Sequence, residues 1–335
     1  MVSVQAPATV LVTGANGFLG LYIVKQLLEG GYTVRGTVRS VSKGEWIKNK
    51  FSAYGSHIDY TIVEDITKTG AFNEAVKGVD AVVHAASPVS DNLDGTYEEI
   101  YVPAVKGAES IFNSLRSSPT VKRVVMTSSF VAMMEPHEPG FTYDETVWNN
   151  NATKLVKENP QGLPGAMYYL AAKTDAERTA WNFYNAHKPD LNWDLVTLAP
   201  PCIFNPILQD EPNFSTSLAY RNAFLEKAEN LADGHAGFWI DVRDAATAHV
   251  LSLQKPKAGG ERIFITGGAF KWQDLREELI KRDVPGVLAE RIPGDDKYDI
   301  PDLTKCANIL GMKYRSLGDS VLGSISSYQR SQEKK

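Results

Sequence analysis

Cysteine is scarce: the 335-residue chain has two, Cys202 and Cys306. They form no CxxC pair and cannot build the disulfide framework on which small secreted domains depend, so a reducing compartment is expected. Basic charge is not in excess either. Thirty-five lysines and arginines stand against 40 acidic residues, for a net charge of -5. Such a balance repels a polyanion and argues against nucleic acid as a partner. Long apolar runs are also missing. Met1 to Pro7 carries no basic n-region, Val10 to Val12 is a short apolar stretch, and nothing reaches the ~18 to 20 apolar residues that span a bilayer. These absences lead to the expectation of a cytoplasmic protein with no membrane contact. The sequons Asn151-Ala152-Thr153 and Asn213-Phe214-Ser215 matter only in a secreted chain and are read as chance.

With 43% hydrophobic and 22% charged residues the chain has an ordinary globular composition, which excludes a wholly disordered or coiled-coil protein. Its length exceeds the size at which one core usually stops growing, so one large or two interlocked domains are expected. Short β-branched runs alternate with amphipathic stretches: Thr9 to Val12, Leu19 to Leu28, Thr33 to Val38, Tyr60 to Val63, Phe72 to Val76 and Ala81 to Ala85. The pattern continues through Val105 to Leu115, Arg123 to Met126 and Trp193 to Leu198. It predicts an α/β fold with a doubly wound parallel sheet. After Pro200-Pro201 the texture becomes aromatic and proline-punctuated. Residues 1–200, with returns at about 240–266, are therefore assigned to a Rossmann domain and 201–335 mostly to a smaller, interleaved substrate lobe.

The first strand runs into Gly14-Ala15-Asn16-Gly17-Phe18-Leu19-Gly20 and then a helix-compatible stretch, Leu21 to Glu29. Strand, glycine turn and helix form the context of a dinucleotide site. Gly14 permits the tight turn, Gly17 admits a pyrophosphate close to the backbone, and Gly20 allows close helix packing, while the helix N-terminus offers N–H donors and positive potential. The spacing is GxxGxxG rather than GxGxxG. A carboxylate that would accept from a ribose 2′-OH is missing at the end of the second strand: none occurs between Glu29 and Glu45, where Arg35, Arg39 and Lys43 stand instead. NADPH/NADP is favoured over NAD, with Arg39 first and Lys43 second for the 2′-phosphate, and Arg35 placed mid-strand.

Tyr169 and Lys173 are spaced i, i+4, neighbours on one helix face. Tyr184 and Lys188 repeat the spacing, but Lys188 precedes Pro189, which marks a helix end. Upstream, Arg123 to Met126 reads as a buried strand with Thr127-Ser128-Ser129 at its carboxyl end, where ligands bind in open α/β sheets.

With these residues the chain resembles the extended short-chain dehydrogenase/reductase family, and within it the fungal aldehyde/ketone (methylglyoxal-type) reductases and the plant dihydroflavonol reductases. The resemblance is carried by Val12 to Phe18, Gly36-Thr37-Val38-Arg39-Ser40, Glu64-Asp65-Ile66, His84-Ala85-Ala86-Ser87-Pro88, Pro103 to Gly107, Thr127-Ser128-Ser129, Tyr169 with Lys173, and Ile240 to Asp244. It implies a Ser129, Tyr169, Lys173 catalytic set with Ser128 in reserve. It further implies Asp65 and Ile66 at the adenine, Ala85, Ala86, Ser87 and Thr127 along the cofactor, and Pro200, Cys202 and Ile203 by the nicotinamide. Relatives tend to carry Asn-Pro where this chain has Ala199-Pro200, and a glycine where it has Asn205. The cinnamoyl-CoA reductase signature is absent, and Met134 stands where dihydroflavonol reductases carry asparagine, so neither plant substrate is supported.

The expected activity is reduction of an uncharged aldehyde or ketone by NADPH, with a monomer or homodimer as the assembly. Phe130, Val131, Met134, Tyr168, Phe204 and Trp239 are the expected substrate contacts, Phe204 and Trp239 as walls. The competing readings are a nucleotide-sugar epimerase or dehydratase, which would prefer an acid where Arg39 stands, and a non-enzymatic NADP(H)-sensing module, which would dispense with Tyr169 or Lys173.

Overall fold

The computed structural model describes residues 2–87, 95–116, 118–204, 206–210, 236–284 and 298–332. Pro88, Asn205 and the sequon at 213–215 lie outside the described residues. The strands are β1 Thr9–Thr13, β2 Thr33–Val38, β3 Ile58–Ile62, β4 Ala81–His84, β5 Arg123–Thr127, β6 Thr142–Tyr143, β7 Asp194–Ala199, β8 Cys202–Phe204, β9 Ala236–Asp241, β10 Arg262–Phe264, β11 Gly268–Lys271 and β12 Ile300–Pro301. The helices are α1 Phe18–Glu29, α2 Val41–Lys50, α3 Tyr97–Leu115, α4 Asn150–Glu158, α5 Gly165–His187, α6 Val242–Gln254, α7 Trp272–Ile280, α8 Thr304–Leu310 and α9 Leu317–Gln332.

Seven strands form one sheet in the order β10-β7-β5-β4-β1-β2-β3. The pairs β1–β2, β2–β3, β1–β4, β4–β5 and β5–β7 are parallel. β4 is buried along its whole length, and β1 and β5 at all but one end position. Continuous apolar strands are what a sheet covered on both faces requires. The doubly wound α/β fold expected from the alternating runs is present. Strand order reverses between β1 and β4, so the crevice at their carboxyl ends is the topological switch point where ligands bind in such sheets.

The chain divides into two compact units. The first comprises Met1–Pro136, Glu145–Ala199 and Ala246–Ile263. Its core joins Leu11, Val82 and Val124 of the sheet to Ile111 and Phe112 of α3 and Ala176 and Ala180 of α5. α3 starts at a capping box, in which Thr96 and Glu99 satisfy each other's backbone N–H groups. At the amino end of β5, Arg123 is fully buried. Its guanidinium grips Asp194 at 2.6 and 2.8 Å and donates to the carbonyls of Ser252 and Lys255, where α6 ends, and of Val2. These five donor contacts offset the desolvation of a charge that would otherwise be too costly to bury.

The second unit comprises His137–Asp144, Pro200–Ala245 and Phe264–Lys335. Its three-stranded sheet has the order β11-β9-β8, with β9 antiparallel to β11 and parallel to β8. Residues 137–144, left in the first domain by sequence reading, contribute β6, which pairs with β12 in the register Thr142↔Ile300. The side chains of Phe204 and Trp239, the expected substrate walls, lie inside this unit's core with Phe270, Leu275, Leu279, Val321 and Ile325, at 1% and 4% exposure. Aromatic side chains dominate cores as readily as pockets, so composition alone does not separate the two roles.

Candidate active site

At the switch point the glycine turn adopts the geometry its sequence calls for. Gly14 has φ +66°, a conformation in which a side chain is strained. A Cβ on Gly20 would lie 2.2 Å from the Gly14 carbonyl oxygen, so α1 can approach the turn only because that position is bare. Gly17 is the N-cap of α1, no side chain caps the first turn, and no acidic residue lies in it. The free N–H groups of a twelve-residue helix therefore keep their donors and partial positive charge for an anion. Thr13 ties the turn to β4: its hydroxyl accepts from the Ala86 N–H at 3.0 Å and bonds His84 Nδ1 at 2.8 Å. Ala85, Ala86 and Ser87 thus face the switch point across from the glycines. These residues fit the pyrophosphate of a dinucleotide.

β2 ends one residue before Arg39. Arg39 is exposed, and among the described residues no hydrogen bond or ion pair engages its guanidinium. Lys43 is exposed in the first turn of α2, behind the N-cap Ser40. Arg35 is a mid-strand residue, as expected, and its guanidinium donates to the carbonyls of Ala75 and Lys77 at 3.0 and 2.6 Å. Beyond β3, Asp65 closes a turn by accepting from the N–H and hydroxyl of Thr67, which holds its carboxyl below the ordinary carboxylate range. Ile66 packs under Gly107 of α3.

Tyr169 and Lys173 share a face of α5, and the Lys173 ammonium lies 5.8 Å from the centroid of the Tyr169 ring. Lys173 Nζ donates to Ser87 Oγ at 2.9 Å. Burial pushes the amine down to about 8, and the buried His84 ring, disfavoured as a cation by desolvation and by Lys173, is pushed down to about 4. His84 is therefore neutral at pH 7, and the positive charge near the tyrosine belongs to Lys173. Ser129 follows β5 as the N-cap of a short 3₁₀ turn, Phe130–Met133, which α5 packs against. Ser128 is fully engaged elsewhere: its hydroxyl donates to Glu177 Oε2 at 2.6 Å. Thr127 Oγ1 bonds His249 at 2.8 Å. In the second i, i+4 pair, Tyr184 is buried against Trp193 and Lys188 is the C-cap of α5.

Of the expected substrate contacts, Phe130 and Val131 are half-buried and Met134 is 41% exposed. The Tyr168 ring is buried, its hydroxyl accepts from the Leu163 N–H and donates to the Pro160 carbonyl, and it packs in the core between α3, α4 and α5. Pro200 is buried, and Cys202 and Ile203 are half-buried, at the start of the second unit's chain segment around β8.

The description "NAD dependent epimerase/dehydratase family" matches residues 10–267. The chain belongs to that family. A ketoreductase of Aspergillus niger, azaE, is 34% identical over 95% of this chain and 96% of its own length. Aldehyde reductase 2 of Sporidiobolus salmonicolor is 32% identical, covering 93% of each chain. Among solved structures, yeast methylglyoxal/isovaleraldehyde reductase Gre2 complexed with NADPH superposes with a TM-score of 0.87 at 26% identity, over 98% of this chain and 100% of that one. The resemblance to extended short-chain dehydrogenase/reductases therefore holds over nearly the whole length.

Within this epimerase/dehydratase-family chain, sequence reading missed Glu177 and Arg262. Both are buried, and they meet at 3.0 and 3.1 Å behind Ser128. Glu177 lies four residues beyond Lys173 on the same helix, a spacing visible in the sequence, but a lone helical carboxylate ordinarily reads as a solvated face.

Proposed function

We propose that the protein is an NADPH-dependent carbonyl reductase in which Tyr169 is the acid, Lys173 lowers its pKa and Ser129 polarises the carbonyl. The observation that carries this reading is the desolvated Lys173 ammonium beside the Tyr169 ring, one helical turn away on α5. NADPH, when bound, supplies the reducing equivalents. The glycine turn from Gly14 to Gly20 receives its pyrophosphate, and Arg39, with Lys43 behind it, takes the 2′-phosphate. Asp65 and Ile66 serve the adenine end. Ala85 to Ser87, Thr127, Pro200, Cys202 and Ile203 serve the remainder.

Reduction leaves an alkoxide that needs a proton, and the Tyr169 hydroxyl is the group to give it. With Lys173 Nζ 5.8 Å from the ring centroid, its positive charge favours the tyrosinate over the neutral phenol. The Ser129 hydroxyl donates to the carbonyl oxygen and strengthens as charge develops there. Ser128 is poorly suited to this task, because its proton is committed to Glu177.

The turn after Ser129 offers Phe130, Val131 and Met134 and no cation. A carboxylate- or phosphate-bearing substrate lacks a bidentate anchor there, so the substrate class is an uncharged aldehyde or ketone with an apolar substituent. Among the described residues no helix is long and apolar enough to cross a membrane. Action in the cytoplasm as a monomer or homodimer completes the proposal.

Tyr169→Phe tests it. Turnover of a generic aldehyde should fall at least ~100-fold, the size of a general-acid effect, with NADPH affinity nearly intact, while Tyr184→Phe leaves kcat close to wild type. Wild-type turnover in Tyr169→Phe refutes the assignment. A panel pairing aryl ketone esters with their free acids checks the substrate class: equal kcat/KM for acid and ester defeats it.

A further inference from the structure

The Glu177 carboxylate is fully buried on α5 and gathers donors from four side chains. Oε2 accepts from Ser128 Oγ at 2.6 Å and from Arg262 Nη2 at 3.1 Å. Oε1 accepts from Thr197 Oγ1 of β7 at 2.7 Å, from Arg262 Nε at 3.0 Å and from Trp181 Nε1 at 3.4 Å. Arg262 does not stop at this pair. Its Nη1 donates to the carbonyls of Glu145 and Val147 at 2.9 and 2.6 Å, and its guanidinium stacks on Trp148, 3.6 Å from the ring centroid. The segment it holds then reaches the turn after Ser129. Asn149 donates from its side chain to the Val131 carbonyl at 3.1 Å and from its backbone to the Ala132 carbonyl at 2.8 Å.

Two chains of bonds therefore leave one carboxylate and close on either side of Ser129. The short one ends at Ser128, whose own N–H is fixed to the Leu198 carbonyl at 2.7 Å. The long one runs through Arg262 and Asn149 to the 3₁₀ turn that Ser129 caps. Tyr169, Lys173 and Glu177 repeat at four residues, so the helix that presents the acid and the ammonium also presents the group that locates the serine. We propose that Glu177 is a positioning residue for carbonyl reduction, acting through Ser128 and Arg262 to hold Ser129 at a fixed place relative to Tyr169. The inference rests on the assignment of Ser129 made above. Glu177 touches neither substrate nor cofactor in this account. Its function is to remove the freedom of a hydroxyl whose donation depends on sub-ångström placement.

Glu177→Gln would leave Arg262 buried without its counter-charge and could unfold the chain. The test therefore removes one hydroxyl, in a double-mutant cycle of Ser128→Ala and Ser129→Ala. NADPH affinity, kcat and KM for a generic aldehyde are measured in the wild type, both single variants and the double variant. Ser128→Ala should lower kcat about tenfold or more, with ~100-fold as the scale of a 1 Å misplacement. KM and NADPH affinity should stay within about twofold, and Ser128→Thr, which restores the hydroxyl, should recover most of the rate. In the Ser129→Ala background the same Ser128→Ala change should alter kcat less than about twofold, because the group it positions is gone. An equal loss in both backgrounds, or no loss in either, overturns the positioning role. Wild-type turnover by Ser129→Ala overturns instead the assignment of Ser129 on which the inference stands.

Discussion

Replacing Arg39 by alanine should separate cofactor recognition from folding, because the guanidinium is exposed and engages no partner among the described residues. No internal bond is lost, so thermal stability should be unchanged. A charged hydrogen-bonded contact to the 2′-phosphate contributes about 1.5 to 3 kcal/mol. At about 1.4 kcal/mol per decade, the Kd for NADPH should rise roughly 10- to 150-fold. NADH, with no 2′-phosphate, should lose less than about twofold. Fluorescence titration of both cofactors at about 0.1 M and about 1 M salt gives a further check, since the Debye length falls from ~10 to ~3 Å and the NADPH loss should shrink with it. Arg35→Ala is the control. Its guanidinium braces the Ala75 and Lys77 carbonyls, so that change should lower stability and leave the NADPH-to-NADH ratio alone. Equal losses for the two cofactors in Arg39→Ala would refute the 2′-phosphate reading.

Lys173 gives a pH prediction with a definite sign. Its amine sits at about 8 in the fold against 10.5 when solvated, so between those values the unfolded chain binds the extra proton and stability rises with pH. From pH 8 to 9.5 this group should add about 1.5 kcal/mol to the wild type relative to Lys173→Met in denaturant titrations, and parallel curves for the two proteins would contradict the desolvation of the amine. Trp239, a core side chain, should behave as one: Trp239→Ala should cost about 3 to 5 kcal/mol of stability. An unchanged unfolding midpoint with a raised KM for aryl ketones would return it to the pocket.

The central strands and glycine turn were legible because their physics is local. A strand covered on both faces is built largely of apolar residues, as Ala81–Val83 of β4 are, and α1 can lie against the turn only with a bare Gly20, where a Cβ would fall 2.2 Å from the Gly14 carbonyl oxygen. That Tyr169 and Lys173 share a helix face was legible from their spacing, and Pro189 marked the helix end at which Lys188 stands. What escaped depends on partners distant in the chain. β6 is two residues long and exists only because Ile300 and Pro301 lie beside it. Phe204 and Trp239 carry the same composition whether they line a pocket or fill a core. Glu177 reads as surface until Ser128, Thr197 and Arg262, between 20 and 85 residues away, converge on it.

The buried arginine at the foot of β5 has a consequence for how the chain is made. A fragment ending near residue 200 holds the glycine turn, Arg39 and the whole Ser129, Tyr169, Lys173 set. It does not hold the Ser252 and Lys255 carbonyls that receive Arg123, nor the Arg262 that neutralises Glu177. In such a fragment Arg123 would keep Asp194 but lack the carbonyls at the end of α6, and Glu177 would be enclosed with the cation that pairs with it still to be synthesised. The nascent chain is thus expected to stay loose until roughly residue 262 has emerged, and to lock in a single late step. Limited proteolysis of ribosome-bound chains of graded length would show protection arriving abruptly at that point. Protection already complete at residue 200 would mean that the sheet closes without its charges matched.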